Sequence, residues 1–147
     1  MSENICLDAN IFIAYFSPDE HNIFVAQLFE KLTEKDFLIS VPALTSFEVF
    51  NILTKKEVKK EIANGVTLEA LKIYLSLPLL LFWKEDLLKE AIRLQKQGIR
   101  TFYDASYLAL SLLRDIPLIT EDKELLKKGK KFYPGIFSPK EWIEMQK

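Results

Sequence analysis

Short, unbroken apolar runs recur along this chain: Ile5-Cys6-Leu7, Phe37-Leu38-Ile39-Ser40-Val41, Leu79-Leu80-Leu81-Phe82 and Leu118-Ile119-Thr120. They constrain the fold more than any other feature. A strand with one wet face alternates apolar and polar residues; these do not alternate, so both of their faces must be covered. Between them lie stretches with helical spacing, such as Ile23, Ala26, Leu28, Phe29 and Leu32. Strands alternating with helices in this way belong to the α/β class, with a mostly parallel sheet of about five strands buried between helices.

The periodicity predicts strands over 4–8, 37–41, 79–82 and 118–120, with 136–137 as a fifth strand at an edge. Helices are predicted over 10–16, about 19–35, about 42–62, 67–75, 84–97, 103–114, 122–130 and 139–145. Asp19, Thr67 and Ser138 are the expected caps of their helices, and Pro42 is expected in a first helical turn. Asn64-Gly65 ends one helix and Gly98 another. With 147 residues and no linker, repeat or low-complexity segment, the chain reads as a single domain over 1–147.

Composition narrows the function. A hydrophobic share of 49% and a charged share of 28% are globular values. The net charge of −1 supplies no global basic field, so nucleic acid would have to be held by local basic groups or through metal. One cysteine and one histidine exclude a disulfide framework, a thiolate zinc site and a multi-histidine site. The N-terminus has no basic region followed by an apolar one, and the apolar stretch near 77–83 is short and contains Pro78. A cytoplasmic protein with no membrane segment is expected. Cys6, His21, Trp83 and Trp142 read as structural, and Phe12, Phe16, Phe24, Phe29, Phe47 and Phe50 as core first.

Four acids stand in apolar surroundings: Asp8, Glu48, Asp104 and Asp122. An isolated buried carboxylate is costly, so such groups are paired, protonated or metal-bound. Asp8 and Asp122 follow the carboxyl ends of predicted strands, where open parallel sheets bind ligands. Glu48 shares the inward helix face of Leu44 and Ile52, and Asp104 sits in a first helical turn beside Tyr107 and Leu108. Read singly, Asp8 and Asp122 are also good helix caps, Asp104 a first-turn acid favoured by the helix dipole, and Glu48 a half-exposed helix residue. Read together, the four form a candidate catalytic and metal-ligating set. Carboxylates alone suit Mg²⁺ or Mn²⁺. Such an ion acidifies and orients a water for phosphodiester hydrolysis. Asn10 and Thr120 are polar neighbours that can hydrogen-bond the ligands. Arg100, just before Asp104, is a candidate substrate-binding residue for a phosphate. The runs Lys55, Lys56, Lys59, Lys60 and Lys127, Lys128, Lys130, Lys131 read either as solvated faces or as phosphate contacts.

The segments Leu7-Asp8-Ala9-Asn10-Ile11-Phe12, Ser46-Phe47-Glu48-Val49, Tyr103-Asp104-Ala105-Ser106-Tyr107-Leu108-Ala109-Leu110 and Pro117-Leu118-Ile119-Thr120-Glu121-Asp122 resemble the PIN domain family, and within it the small VapC-type toxins. The resemblance spans essentially the whole chain, in family order. It implies an α/β/α sandwich around a parallel sheet and an endoribonuclease dependent on Mg²⁺ or Mn²⁺. The implied acid cluster is Asp8, Glu48, Asp104 and Asp122, with Asn10 and Thr120 as its polar positions. A small antitoxin protein, seated by an amphipathic segment on apolar residues of the first helices, and a homodimer are also implied. Ala9 stands where Thr or Ser is common, and Glu121 adds negative charge beside the site.

Three other readings remain open on the residues: a PIN nuclease of ribosomal RNA processing, a catalytically inactive PIN-like module binding RNA or protein, and a phosphoaspartyl receiver. The receiver needs an aspartate at the end of the third strand, where this chain has Phe82-Trp83-Lys84.

Overall fold

The computed structural model describes residues 3–147; Met1 and Ser2, the first two residues of the expected domain, lie outside them. Strands β1 (Asn4–Leu7), β2 (Leu38–Pro42), β3 (Leu79–Phe82), β4 (Leu118–Ile119) and β5 (Ile136–Phe137) form one five-stranded sheet in the order β3-β2-β1-β4-β5. Every pairing is parallel. Eight helices complete the fold: α1 (Ala9–Phe16), α2 (Ile23–Glu34), α3 (Thr45–Val58), α4 (Val66–Ser76), α5 (Glu85–Lys96), α6 (Phe102–Arg114), α7 (Lys123–Gly129) and α8 (Pro139–Met145). Helices flank both faces of the sheet, giving an α/β/α sandwich. No helix among the described residues is long and apolar enough to cross a membrane.

This cover explains the unbroken apolar runs of β1, β2 and β4, whereas the run of β3 departs from the expectation of cover on both faces: β3 is an edge strand, with Leu80 and Leu81 exposed. Ile5, Cys6, Leu7, Val41, Leu118 and Ile119 are fully buried. The chain steps from β1 to β2 to β3 in one direction and then returns to β4 and β5 on the other side of β1. Right-handed crossovers therefore send the helices after β1 and β2 to one face and those after β3 and β4 to the other. α6 packs across β1, β2 and β4, and α1 packs against α2, α3 and α4. Phe12 anchors the latter group, with its ring edge-on to Tyr74 at 5.4 Å and to Phe29 at 6.1 Å.

The strand positions, including β5 at an edge, follow the apolar runs, but three helix starts differ from expectation. Asp19 lies in a 3-10 turn, Pro18–Glu20, and the cap of α2 is Asn22. The Asn22 Oδ1 accepts the Phe24 and Val25 N–H groups at 2.9 and 3.3 Å. Asp19 is drawn instead to Lys56, whose ammonium also reaches Glu20 and Ser17. Pro42 ends β2 and does not open a helix. The ladder to β3 at that level uses the Ala43 N–H, which donates to Phe82 O, so the N–H that proline lacks is not needed there. Thr67 lies inside α4, its N–H held by Glu57, and Gly65 at φ 94° makes the turn that a side chain would strain. Ser138 caps α8 as expected, in a reciprocal box with Glu141.

Asn22→Ala is expected to lower stability by about 1 kcal/mol in urea unfolding, the usual cost of losing a two-bond cap.

Candidate functional site

β1 and β4 deliver their carboxyl ends to one rim, at the point where strand order reverses. Leu7 pairs with Ile119, so the next residues, Asp8 and Thr120, stand level. The Thr120 hydroxyl donates to Asp8 Oδ2 at 2.8 Å, and Asn10 Nδ2 donates to the same oxygen at 3.3 Å. Thr120 Oγ1 also accepts from the Asp122 N–H at 3.0 Å and from Asn10 Nδ2 at 3.3 Å. Asn10 Oδ1 closes the network by accepting the Glu121 N–H at 3.2 Å. Asn10 and Thr120 thus fasten the loop after β4 to the start of α1.

Asp8 is 6% exposed and stands at the head of α1, yet makes no helix-capping hydrogen bond. Asp122 does cap its helix: Oδ1 accepts the Glu124 and Leu125 N–H groups at 2.9 and 3.2 Å. Capping therefore accounts for one oxygen of Asp122 and for none of Asp8. Asp104 lies in the first turn of α6, which Thr101 caps by accepting the Asp104 N–H at 3.0 Å. Glu48 lies in the first turn of α3 and accepts the Tyr107 hydroxyl on Oε1 at 3.0 Å.

The electrostatics show how these acids meet. Burial pushes the Asp8 carboxyl up to about 7, opposed by the Thr120 and Ala9 bonds and reinforced by Asp104 and Glu48. Burial raises Glu48, opposed by Tyr107 and reinforced by Asp104. Burial raises Asp104, opposed by Thr101 and Arg100 and reinforced by Asp122 and Glu124. Asp104 is coupled to each of the other three, and Asp8 feels Glu48 directly as well. Among the described residues, no three acidic, histidine or cysteine side chains close into a ready metal cage. The fold gathers a rim of mutually repelling carboxylates. Its oxygen-only donors fit a hard divalent cation.

The Arg100 guanidinium lies over the outer part of this rim, 62% exposed. It stands 3.8 Å from Asp104, 4.0 Å from Asp122 and 3.7 Å from Glu124. Glu121 is turned aside and accepts Asn22 Nδ2 at 3.3 Å. Three participants were not anticipated as site residues: Tyr107, Thr101 and Glu124. Tyr107 follows Asp104 by three positions on one helix face, and Glu124 follows Asp122 by two in a first turn; those offsets are the available signals.

Elsewhere the basic runs are partly committed. Lys56 has a side chain only 14% exposed and is held by Asp19 and Glu20. Lys128 pairs with Glu124, and Lys130 with Glu141. Phe12, Phe16 and Phe29 are core, Phe24 and Phe50 are half-buried, and Phe47 is 80% exposed. Trp142 packs edge-on against Phe37 at 5.8 Å, whereas Trp83 is 66% exposed beside edge strand β3. A groove of about 630 Å³ opens beside α1 and α4, lined by Tyr15, Phe16, Gly65, Val66, Ala70 and Ile73 among others.

The family model of the PIN domain matches residues 5–131. A chain of a toxin–antitoxin complex from Klebsiella pneumoniae superposes with a TM-score of 0.65 at 20% identity, covering 92% of this chain and 97% of that one. PAE2754 from Pyrobaculum aerophilum gives 0.69 at 23% identity, covering 98% and 94%. VapBC2 from Rickettsia felis, bound to a DNA fragment from its promoter, gives 0.66 at 17% identity, covering 92% and 97%. At these identities the likeness is one of fold. A comparison with curated proteins finds no match.

The Asp8 environment sets a pH dependence. In the metal-free protein, folded Asp8 holds its proton up to about pH 7, whereas an unfolded aspartate releases it near 3.8. Between these values the unfolded state binds fewer protons, so stability falls as pH rises across that window. Asp8→Asn is expected to be more stable than the parent at pH 8 by up to about 4 kcal/mol, since the shift from 3.8 to about 7 spans about three pKa units and each corresponds to about 1.4 kcal/mol. The gap should shrink toward pH 4, in urea titrations run with a chelator.

Proposed function

The chain belongs to the PIN domain family, a family of nucleases, and on that premise we propose that it is an endoribonuclease dependent on Mg²⁺ or Mn²⁺. The observation that carries the reading is Asp8: a buried, uncapped carboxylate, held by Thr120 and Asn10 and pressed by Asp104 and Glu48. A structural acid in that place would have an opposite charge beside it. Asp8, Glu48, Asp104 and Asp122 would hold the cation. When bound, it supplies an acidified, oriented water and offsets charge on the phosphate oxygens.

The chain's own groups have distinct tasks in this reading. Thr120 and Asn10 both bond Asp8 Oδ2 and so fix that carboxylate. The Arg100 guanidinium, exposed and only loosely held by its three acids, would take a backbone phosphate beside the cleaved bond. Hydrolysis in line then leaves a 5′-phosphate on the downstream fragment. Purified protein should cleave single-stranded RNA with Mg²⁺ or Mn²⁺ and stop in excess EDTA. Asp104→Asn should lower the rate on the order of 10²-fold or more. Arg100→Ala should weaken RNA binding and reduce its salt slope by about one charge. Undiminished cleavage in EDTA would remove the cation from the mechanism.

Two features of the surface support protein partners. The groove beside α1 and α4 suits the apolar face of an antitoxin helix, and likeness in fold to chains of toxin–antitoxin complexes supports a toxin role. β3 is an edge strand with Leu80, Leu81 and Trp83 exposed, a surface that natural proteins cover, and a second copy would cover it. In sedimentation velocity, the chain alone should run as a homodimer. It should gain mass on addition of the product of a short reading frame next to its own gene. A monomer unchanged by that product would leave a housekeeping nuclease of ribosomal RNA as the better reading.

A further inference from the structure

Among the buried polar groups that the proposed chemistry does not use, one reaches the acid rim. Tyr107 is 1% exposed and sits on α6, three residues after Asp104. Its hydroxyl lies 3.0 Å from Glu48 Oε1 and 2.9 Å from Thr45 Oγ1. A phenol has one proton to give, and an ionised carboxylate has none. Tyr107 therefore donates to Glu48, and the Thr45 hydroxyl must donate to Tyr107. Thr45 is fully buried, and it precedes Glu48 by three residues on α3, so both face α6 from one side. The result is a directed file of hydrogen bonds, Thr45 to Tyr107 to Glu48, running from the core to the rim.

Packing alone would need only the ring, which phenylalanine would supply. The hydroxyl adds polar area that must be satisfied at two points, and both points are met. One of them is a half-buried acid on a different helix, 59 residues away in sequence. We propose that Tyr107, held in turn by Thr45, is the positioning residue for Glu48. It fixes Oε1 and leaves Oε2 as the oxygen this glutamate offers to a divalent cation. The inference rests on the reading of the acid rim as a cation site and adds to it the device that orients one ligand. Partners of this kind restrain a ligand that otherwise samples several rotamers, and their loss typically weakens metal binding 10–100-fold.

The experiment is a calorimetric titration of the full chain with Mn²⁺, without RNA. Tyr107→Phe is expected to bind Mn²⁺ about 10-fold more weakly than the parent. Thr45→Val should weaken it in the same direction by a smaller factor, and Thr45→Ser should bind like the parent. In a Glu48→Gln background, where the ligand charge is already gone, adding Tyr107→Phe should cause no further loss. Parent-like affinity in Tyr107→Phe would overturn the proposal, as would an equal loss in the Glu48→Gln background, which marks a general disturbance of α6. If Tyr107→Phe does not fold, the Thr45 pair decides: equal Mn²⁺ affinity for Val and Ser overturns the file of bonds. A parent chain that takes up no Mn²⁺ overturns the cation site itself, and the positioning role with it.

Discussion

The hydrogen bond from Thr120 to Asp8 joins the two strands on either side of the point where the chain reverses its direction across the sheet. The rest of the rim is arranged around it. Burying a carboxylate without a partner would cost several kcal/mol, and among the described residues no cationic side chain offsets that at Asp8. The compensation is a hydroxyl and an amide, both set by register. Leu7 lies beside Ile119, so the next residues on each strand meet. A slip of one residue would turn Thr120 to the other face and leave Asp8 without its strongest donor. Ladder geometry and site chemistry are therefore the same constraint here, since the pairing that closes the sheet also places the acid.

The other acids arrive by a different route. Glu48 and Asp104 stand in the first turns of α3 and α6, where the helix dipole favours negative charge. That dipole lowers the cost of holding two more carboxylates near Asp8 without removing it. Burial and mutual repulsion still push Asp8, Glu48 and Asp104 upward together. Asp122 gives one oxygen to its own helix cap. The mutual repulsion within this rim destabilises the folded chain, and sites whose acids are held apart from their ordinary pKa are where function concentrates.

What was legible in the sequence was the part set by local rules. Continuous apolar runs located every strand, because a buried parallel sheet leaves no other way to write them. Asp8 and Asp122 could be placed at strand ends, since each directly follows such a run. The failures share one cause: a partner far along the chain outbid a good local signal. Asp19 and Asn22 are both competent caps, and Lys56, 37 residues on from Asp19, decided between them. Tyr107 was legible only as a neighbour of Asp104 on its helix, and the tertiary fold alone brings its hydroxyl to Glu48 on α3. Trp83, read as structural, stands exposed beside β3, and nothing local in the sequence distinguished that strand as an edge.

The acid rim sets a problem for a polyanionic substrate. In the proposed reading, RNA phosphates would approach four carboxylates on a chain whose net charge is already −1. The obvious lysines give limited help, since Lys56 is locked to Asp19 and Glu20, and Lys128 and Lys130 face acids of their own. Arg100 is the cation nearest the rim, and one guanidinium cannot balance Asp104, Asp122 and Glu124 and also hold a phosphate. In the proposed reading the missing positive charge comes with the divalent ion. Were Asp104 and Asp122 to hold such an ion, their pull on Arg100 would weaken, and the guanidinium would be free to take a phosphate. Cation and RNA would then favour one another's binding through a shared side chain, a coupling that is reciprocal by thermodynamic necessity.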